Sequence, residues 1–280
     1  MDENTMTGDF SVLMSVYCQD DPVYLAKALS SIYPEQTLRP NEVILIADGD
    51  LTKVLYNVIE DFKKQFSECN VILHNLKQNV GLAKALNIGI GLCHYDLIVR
   101  MDADDISLPT RFSKQLEFMN AHPEISVCGT FVEEVEPQTL KSMSIRKVPL
   151  CHDEIKTFAK KRSPVSHPSV IFRKHVVLEF GGYPDFRKSQ DYALWSNLLK
   201  NNVNFANIPD ILLKMRAGSD LQQRRGLQYF KYEHAVLKYQ LHIGFLSRKE
   251  YIINLLLRFI VRSMPIRVRE KIYMMRNSNA

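Results

Sequence analysis

The chain has 280 residues, 46% hydrophobic and 24% charged, with a formal net charge of +5, which suits one large globular domain or a domain with an appendage. Its five cysteines (Cys18, Cys69, Cys93, Cys128, Cys151) are odd in number and form no CxxC pair, which argues against a disulfide framework or a zinc site and for a reducing compartment. No run of 18 apolar residues occurs, and the acidic start Met-Asp-Glu-Asn-Thr does not read as a secretory signal, so neither a spanning helix nor export is expected and the expected location is the cytoplasm.

Phe10 to Tyr17 reads as a strand apolar enough for the centre of a sheet, followed by the loop Tyr17-Cys-Gln-Asp-Asp-Pro22. Val23 to Ile32 carries Leu25, Ala28, Leu29 and Ile32 at helical spacing, and Pro34 and Pro40 close it. Val43 to Ala47 is a second buried strand ending in Asp48-Gly49-Asp50. Lys53 to Phe66 is an amphipathic helix, Val71 to Leu73 a third strand, Asn79-Val-Gly81 a turn and Leu82 to Leu92 the next helix. Leu97-Ile98-Val99 is a short continuous apolar run, as expected of a strand buried on both faces of a parallel sheet. Such alternation implies an α/β fold with right-handed crossovers and a Rossmann-like, mostly parallel sheet of the nucleotide-binding type.

Beyond that strand, Arg111 to Asn120 is a helix, Ser126 to Val135 a strand, and Glu133 to Val148 a hairpin or an irregular excursion. Cys151 to Lys161 is helical, and His167 to Arg173 starts as a loop and becomes a strand. Gly181-Gly182-Tyr183-Pro184 is a tight turn, and Gln190 to Leu199 a helix with Asp191 in its first turn, a favourable place for an acid. Asn204 to Met215 holds one strand or two short ones. From about Leu221 the pattern is helical and basic, which divides the chain into residues 1–220 and a C-terminal segment of residues 221–280.

Three acids, Asp102, Asp104 and Asp105, follow the Leu97 strand at once, at the carboxyl end where open α/β sheets bind ligands. If the backbone stays extended there, Asp102 and Asp104 point to one side and Asp105 to the other. Paired carboxylates at a strand end suit a hard divalent cation, Mn²⁺ or Mg²⁺, that also holds a diphosphate. The loops at Tyr17 and Asp48 fall at strand carboxyl ends as well, which supports a shared site.

In order along the chain, these pieces resemble the inverting, family 2 glycosyltransferases with the GT-A fold. The resemblance runs from about Phe10 to Ser219. It is carried by Asp48-Gly49-Asp-Leu51-Thr52, by Asn79-Val-Gly81-Leu-Ala-Lys84-Ala-Leu-Asn87-x-Gly89, and most specifically by Arg100-Met-Asp102-Ala-Asp104-Asp105-Ile-Ser-Leu-Pro109-x-Arg111. His167-Pro-Ser, Gly181-Gly182-Tyr and Gln190-Asp191-Tyr-x-Leu-Trp195 complete the order. The resemblance implies that Tyr17 and Asp48 contact uracil and ribose, that Asp102 helps hold the nucleotide, that Asp104 with Asp102 binds the metal, and that Asp191 is the catalytic base. Two departures stand out: Ala47 occupies a place where many relatives have an acid, and Gln190 replaces the first acid of the usual pair beside the base.

Residue chemistry alone adds weaker candidates. Lys84 and Arg100 are cations suited to neutralising phosphate. His167 and Trp195 are candidates for the acceptor side, Trp195 as a sugar platform, and Arg216 for the diphosphate from a late loop. Asp105 either supports the other acids or caps the next helix. The C-terminal segment carries Arg258, Arg262, Arg267, Arg269, Lys271 and Arg276 against Glu270, interleaved with apolar residues and broken by Pro265, as in a basic amphipathic element at a membrane surface. No aromatic interleaving suggests nucleic acid.

The expected activity is therefore metal-dependent transfer of one glucose- or galactose-type sugar from a UDP-sugar to a lipid-diphosphate-linked saccharide, as in bacterial surface-polysaccharide assembly, by an enzyme peripheral to the inner face of the cell membrane. A processive synthase is disfavoured, because Gln222-Gln223-Arg224-Arg225 lacks the tryptophan of the Gln-x-x-Arg-Trp motif. The alternatives are a nucleotidyltransferase, for which the Tyr17 loop lacks a glycine-rich phosphate cradle, and a non-catalytic sugar-nucleotide-binding scaffold.

Overall fold

The computed structural model describes residues 8–217, 227–265 and 268–269. In chain order the elements are β1 (Phe10–Val16), α1 (Pro22–Ile32), β2 (Glu42–Ala47), α2 (Lys53–Gln65), β3 (Val71–Asn75), α3 (Leu82–Leu92), β4 (Leu97–Asp102), β5 (Ile106–Ser107), α4 (Arg111–Ala121), β6 (Ile125–Val135) and β7 (Ser142–Arg146). There follow α5 (His152–Ala159), a 3₁₀ turn (His167–Ser169), β8 (Ile171–Arg173), α6 (Lys174–Glu179), α7 (Gln190–Lys200), β9 (Asn204–Arg216), α8 (Leu227–His242) and α9 (Arg248–Ser263).

β1 runs through the middle of the parallel half of the sheet, pairing with β2 on one side and β4 on the other, with β3 beyond β2. Past β4 the order continues β8, β6, β9, β5. There β8 is antiparallel to both β4 and β6, β6 and β9 are parallel, and β7 folds back on β6 as the expected hairpin. The Asn204 region is one strand, β9, with shifts of register against β6. The two-residue β5 and the short α6 were not expected, since neither is long enough to show a period.

Strand alternation sorts the core into two layers. Val12, Met14, Val43, Leu45, Val99 and Met101 pack with α1, α2 and α4, whereas Leu13, Ile44, Ile46 and Ile98 pack with α3, α5 and α7. Gly89 lets α3 approach β1 closely: a Cβ there would lie 2.3 Å from Leu13 Cδ1. Arg100 and Asp102 share the parity of Ile98, so both project to the α7 side. The C-terminal helices are docked on that side too, with Leu237, Phe245 and Leu246 in the same buried cluster as Trp195. The stretches around Gly218-Ser219 and Gln222 to Arg225, and the basic positions Arg267, Lys271 and Arg276, lie outside the described residues.

Candidate active site

The end of β4 is held from behind. Arg111, with no exposed surface, donates from Nη2 to the Arg100 carbonyl (2.8 Å) and from Nε to Gln115 Oε1 (3.0 Å). Burial and the nearby Arg100 charge pull Arg111 down to about 9. The strand stops at Asp102 and a turn follows at Ala103-Asp104, so the extended backbone expected there is absent. The turn brings Asp105 round to join Asp102 and Asp104, and one carboxylate oxygen from each lies within 4.8 Å of the others.

Burial first, then repulsion from Asp104 and Asp102, raises Asp105 well above the ordinary carboxylate range. One of its oxygens accepts the Arg216 backbone N–H (3.0 Å), and the other is buried with no partner. Crowding by surrounding protein and repulsion from Asp102 lift Asp104 to about 6, although its surface remains open to solvent. An all-oxygen donor set whose mutual repulsion the Arg100 charge offsets only in part, with an orphaned buried carboxylate oxygen, fits a hard divalent cation, Mn²⁺ or Mg²⁺.

A further acid belongs to this field, and sequence reading passed over it as part of a loop. Asp20, in the β1–α1 loop, accepts the Tyr17 N–H (2.9 Å). Burial, with added repulsion from Asp104 and Asp102, raises it to about 7. Its signal was an acid at a strand carboxyl end, the same signal that singled out Asp48. Asp21, the next residue, caps α1 by accepting from the Val23 and Tyr24 N–H groups.

Asp48 is nearly buried, and its two oxygens accept the Val80 and Gly81 N–H groups (2.7 and 3.1 Å). It thereby fastens the β3–α3 turn to the end of β2, and only its remaining lone pairs are left for a ligand. Gly49 allows that closure: its φ is +87°, and a Cβ would lie 2.7 Å from the Asn79 nitrogen. Tyr17 is exposed beside this edge.

Asp191 lies in the first turn of α7, behind Ser189, whose left-handed conformation (φ 59°) turns the chain sharply into the helix. Burial raises the Asp191 carboxyl, against the opposing pull of the Tyr192 N–H and the Arg100 charge. The loop before it is clamped by α3. Asn87 donates to the Tyr183 carbonyl (2.9 Å) and accepts the Tyr183 N–H (2.8 Å), while Lys84, one turn earlier, pairs with Asp185 (2.9 Å). Gly182 is required at this contact, because with φ +70° a Cβ would meet Asn87 Oδ1 at 2.5 Å. The Tyr183 hydroxyl and His167 Nε2 are 2.8 Å apart. Burial and the Arg100 charge hold His167 well below its usual value, so it is a neutral partner.

Three expectations are revised by these positions. Arg100 was expected to neutralise phosphate, but it is 2% exposed and its guanidinium is ion-paired with Asp102, so its charge reaches the site through that carboxylate. Burial pulls the Arg100 pKa down, yet Asp102 lifts it above its ordinary value. Trp195 was expected to offer a sugar platform on the acceptor side. It has no exposed surface and packs edge-on against His167, Tyr183 and Phe205, so it is core. Lys84 was expected to neutralise phosphate; it is exposed, but its ammonium is engaged by Asp185.

Asn87→Ala removes both bonds to the Tyr183 backbone, and the expected cost is about 1–3 kcal/mol from unpaired, partly buried groups. The expected kinetic result is a lower kcat with little change in donor KM, because Asn87 holds the loop that carries Asp191 and not the β4 acids. Asn87→Asp keeps the acceptor for the Tyr183 N–H and is expected to recover part of the loss. A fall confined to donor KM would contradict this.

A family model described as Glycosyl transferase family 2 matches residues 11–180. The chain is 38% identical over 270 residues to the UDP-Gal:alpha-D-GlcNAc-diphosphoundecaprenol beta-1,3-galactosyltransferase of Escherichia coli, covering 95% of this chain and 96% of that one. It is 35% identical over 268 residues to the amylovoran biosynthesis glycosyltransferase AmsE of Erwinia amylovora, covering 94% and 97%. Among solved structures, a Pyrobaculum calidifontis mannosyltransferase in complex with GDP-Man and Mn²⁺ superposes with a TM-score of 0.66 at 13% identity, covering 91% of this chain and 70% of that one. Residues 1–349 of S. aureus TarS with UDP-GlcNAc give 0.64 at 16% identity, covering 91% and 72%.

Proposed function

The chain belongs to glycosyl transferase family 2, and we propose that it transfers one hexose, galactose in the first instance, from a UDP-sugar to a saccharide linked through diphosphate to a lipid. The general activity, glycosyl transfer in bacterial surface-polysaccharide synthesis, follows from full-length similarity to named glycosyltransferases of O-antigen and exopolysaccharide assembly. The choice of donor and acceptor is supported by the relative 38% identical over 270 residues, and the observation that carries the mechanism is the convergence of Asp102, Asp104 and Asp105 at the end of β4, in one electrostatic field with Asp191.

In this reading Tyr17 and the free lone pairs of Asp48 meet the uracil and ribose. Asp102 and Asp104, with Asp105 behind them, would hold a divalent cation on the donor diphosphate; when bound, such an ion supplies Lewis-acid stabilisation of the leaving group. Arg100 fixes the Asp102 carboxylate, and Lys84 with Asn87 fixes the loop before the base. Asp191 takes the proton of the acceptor hydroxyl as that oxygen attacks the anomeric carbon. The bond from that carbon to UDP breaks, and UDP leaves with the electron pair, which inverts the configuration and gives a β-linkage from an α-linked donor. In this reading neutral His167, bonded to the Tyr183 hydroxyl, belongs to the acceptor side. On the same reading the reaction takes place at the inner face of the cell membrane, beside the lipid-linked acceptor; among the described residues no helix is long and apolar enough to cross a membrane.

The test is a donor screen with purified protein, Mn²⁺ and a synthetic N-acetylglucosaminyl diphosphate lipid with a short, water-soluble chain. UDP-galactose is expected to give one added sugar per acceptor, β-linked by NMR. Donor binding without turnover on any acceptor would favour a scaffold and overturn the reading.

A further inference from the structure

Helix α9 is built inside out relative to its sequence pattern. α9 has a fixed start: Ser247 and Glu250 exchange hydrogen bonds, the Ser247 N–H to Glu250 Oε2 (2.7 Å) and the Glu250 N–H to Ser247 Oγ (3.2 Å). From there, helical spacing puts Asn254, Arg258 and Arg262 on one side. That side faces the protein. Asn254 Nδ2 donates to the Lys160 carbonyl (2.9 Å) and Arg258 Nη2 to the Lys161 carbonyl (3.0 Å). Arg258 and Arg262 both grip Glu233 of α8, a nearly buried acid, at 3.3 and 2.7 Å. Two of the arginines expected to meet lipid headgroups, Arg258 and Arg262, are thus occupied within the protein.

The opposite side carries Ile252, Ile253, Leu256, Leu257, Phe259 and Ile260, each between 47% and 56% exposed. Six large apolar side chains on one helix face form a patch of the kind that marks an interaction site. Lys249 precedes them in the same arc and Arg248 starts the helix. After it the sequence continues with Arg267, Arg269, Lys271 and Arg276 against Glu270 alone. An apolar stripe with Arg248 and Lys249 at its start, in a sequence that stays basic beyond it, repels a second copy of itself and complements an anionic surface.

We propose that the Ile252–Ile260 face of α9 is a docking surface that enters the acyl boundary of an anionic bilayer, holding the enzyme beside its acceptor. This deepens the reading of a lipid-linked acceptor and rests on it. Attraction between the flanking cations and headgroups brings the helix to the surface, and apolar burial holds it there.

The full chain should cosediment with vesicles of phosphatidylglycerol and phosphatidylethanolamine, and more weakly with phosphatidylcholine alone. Leu256→Gln/Ile260→Gln alters only exposed positions, and folding is checked by its melting temperature. Vesicle partitioning is expected to fall at least about tenfold, as is transfer to a long-chain acceptor embedded in the vesicles. Transfer to the short-chain soluble acceptor should stay unchanged. The control Leu178→Gln, at an exposed apolar residue of α6, should leave all three intact. Parent protein that stays in solution, or a double variant that binds like the parent, overturns the proposal. So does a parent dimer that the double variant dissociates, which would assign the face to a second copy. Failure of the parent on the soluble acceptor would instead strike the reading of function, and is read in a separate assay.

Discussion

Asp191→Asn is expected to reduce sugar transfer by about 10²–10⁴-fold while leaving UDP-sugar affinity within a few-fold of the parent. The amide fills the same space but cannot take the acceptor proton. The substitution should not unfold the protein, since an acid in the first helical turn contributes about 0.3–1 kcal/mol. The pH profile gives an independent check. Because burial raises the Asp191 carboxyl, its proton leaves at a higher pH than that of an ordinary carboxylate. The acid limb of kcat should therefore lie above the usual carboxylate range and vanish from the residual activity of Asp191→Asn. Transfer at the parent rate in Asp191→Asn would move the base to another group.

Asp104→Asn is expected to abolish metal-dependent transfer and yet stabilise the metal-free protein at alkaline pH. Asp104 is raised to about 6, so the folded chain binds its proton more tightly than the unfolded chain does. Stability from this group is therefore greatest below the unfolded value near 4, falls as pH rises to about 6, and is flat above. Asp20, raised to about 7, extends the same loss by one further unit. At pH 8 the metal-free parent carries the full repulsion among these carboxylates, and Asp104→Asn relieves part of it. Its melting temperature should exceed that of the parent by a few degrees at pH 8, on a scale of about 2–4 °C per kcal/mol, and match the parent near pH 4. Mn²⁺ should raise the parent's melting temperature more at pH 8 than at pH 5, because a bound cation stabilises only the state that offers ionised ligands. In Asp104→Asn that increment should largely disappear. An equal Mn²⁺ effect in both proteins would place the ion elsewhere.

Much of this site is legible in one dimension. The strand–helix alternation up to β4 follows from the period of apolar residues. The placing of Tyr17, Asp48 and Asp102 at strand ends follows from where those apolar runs stop. Asp191 in a first helical turn is a local reading of the same kind. Asp20 carries an equal signal, but its sequence neighbour Asp21 is turned to capping α1, and the acids that act on Asp20, Asp102 and Asp104, arrive from over eighty residues away.

The α/β order, the family and the acids at the strand ends can be read from the chain in one dimension, because periodicity and motif spacing are short-range properties. Which way the ambiguous residues face depends on contacts between distant parts of the chain. A turn at Ala103-Asp104 gathers Asp105 into the acid cluster, the parity of β4 buries Arg100 against Asp102, and the packing of α7 takes Trp195 into the core. In α9 the inward face is set by Glu233, an acid on another helix that draws Arg258 and Arg262 inward. A helical period shows that two faces differ. Which of them is buried depends on the partner that long-range folding brings against it.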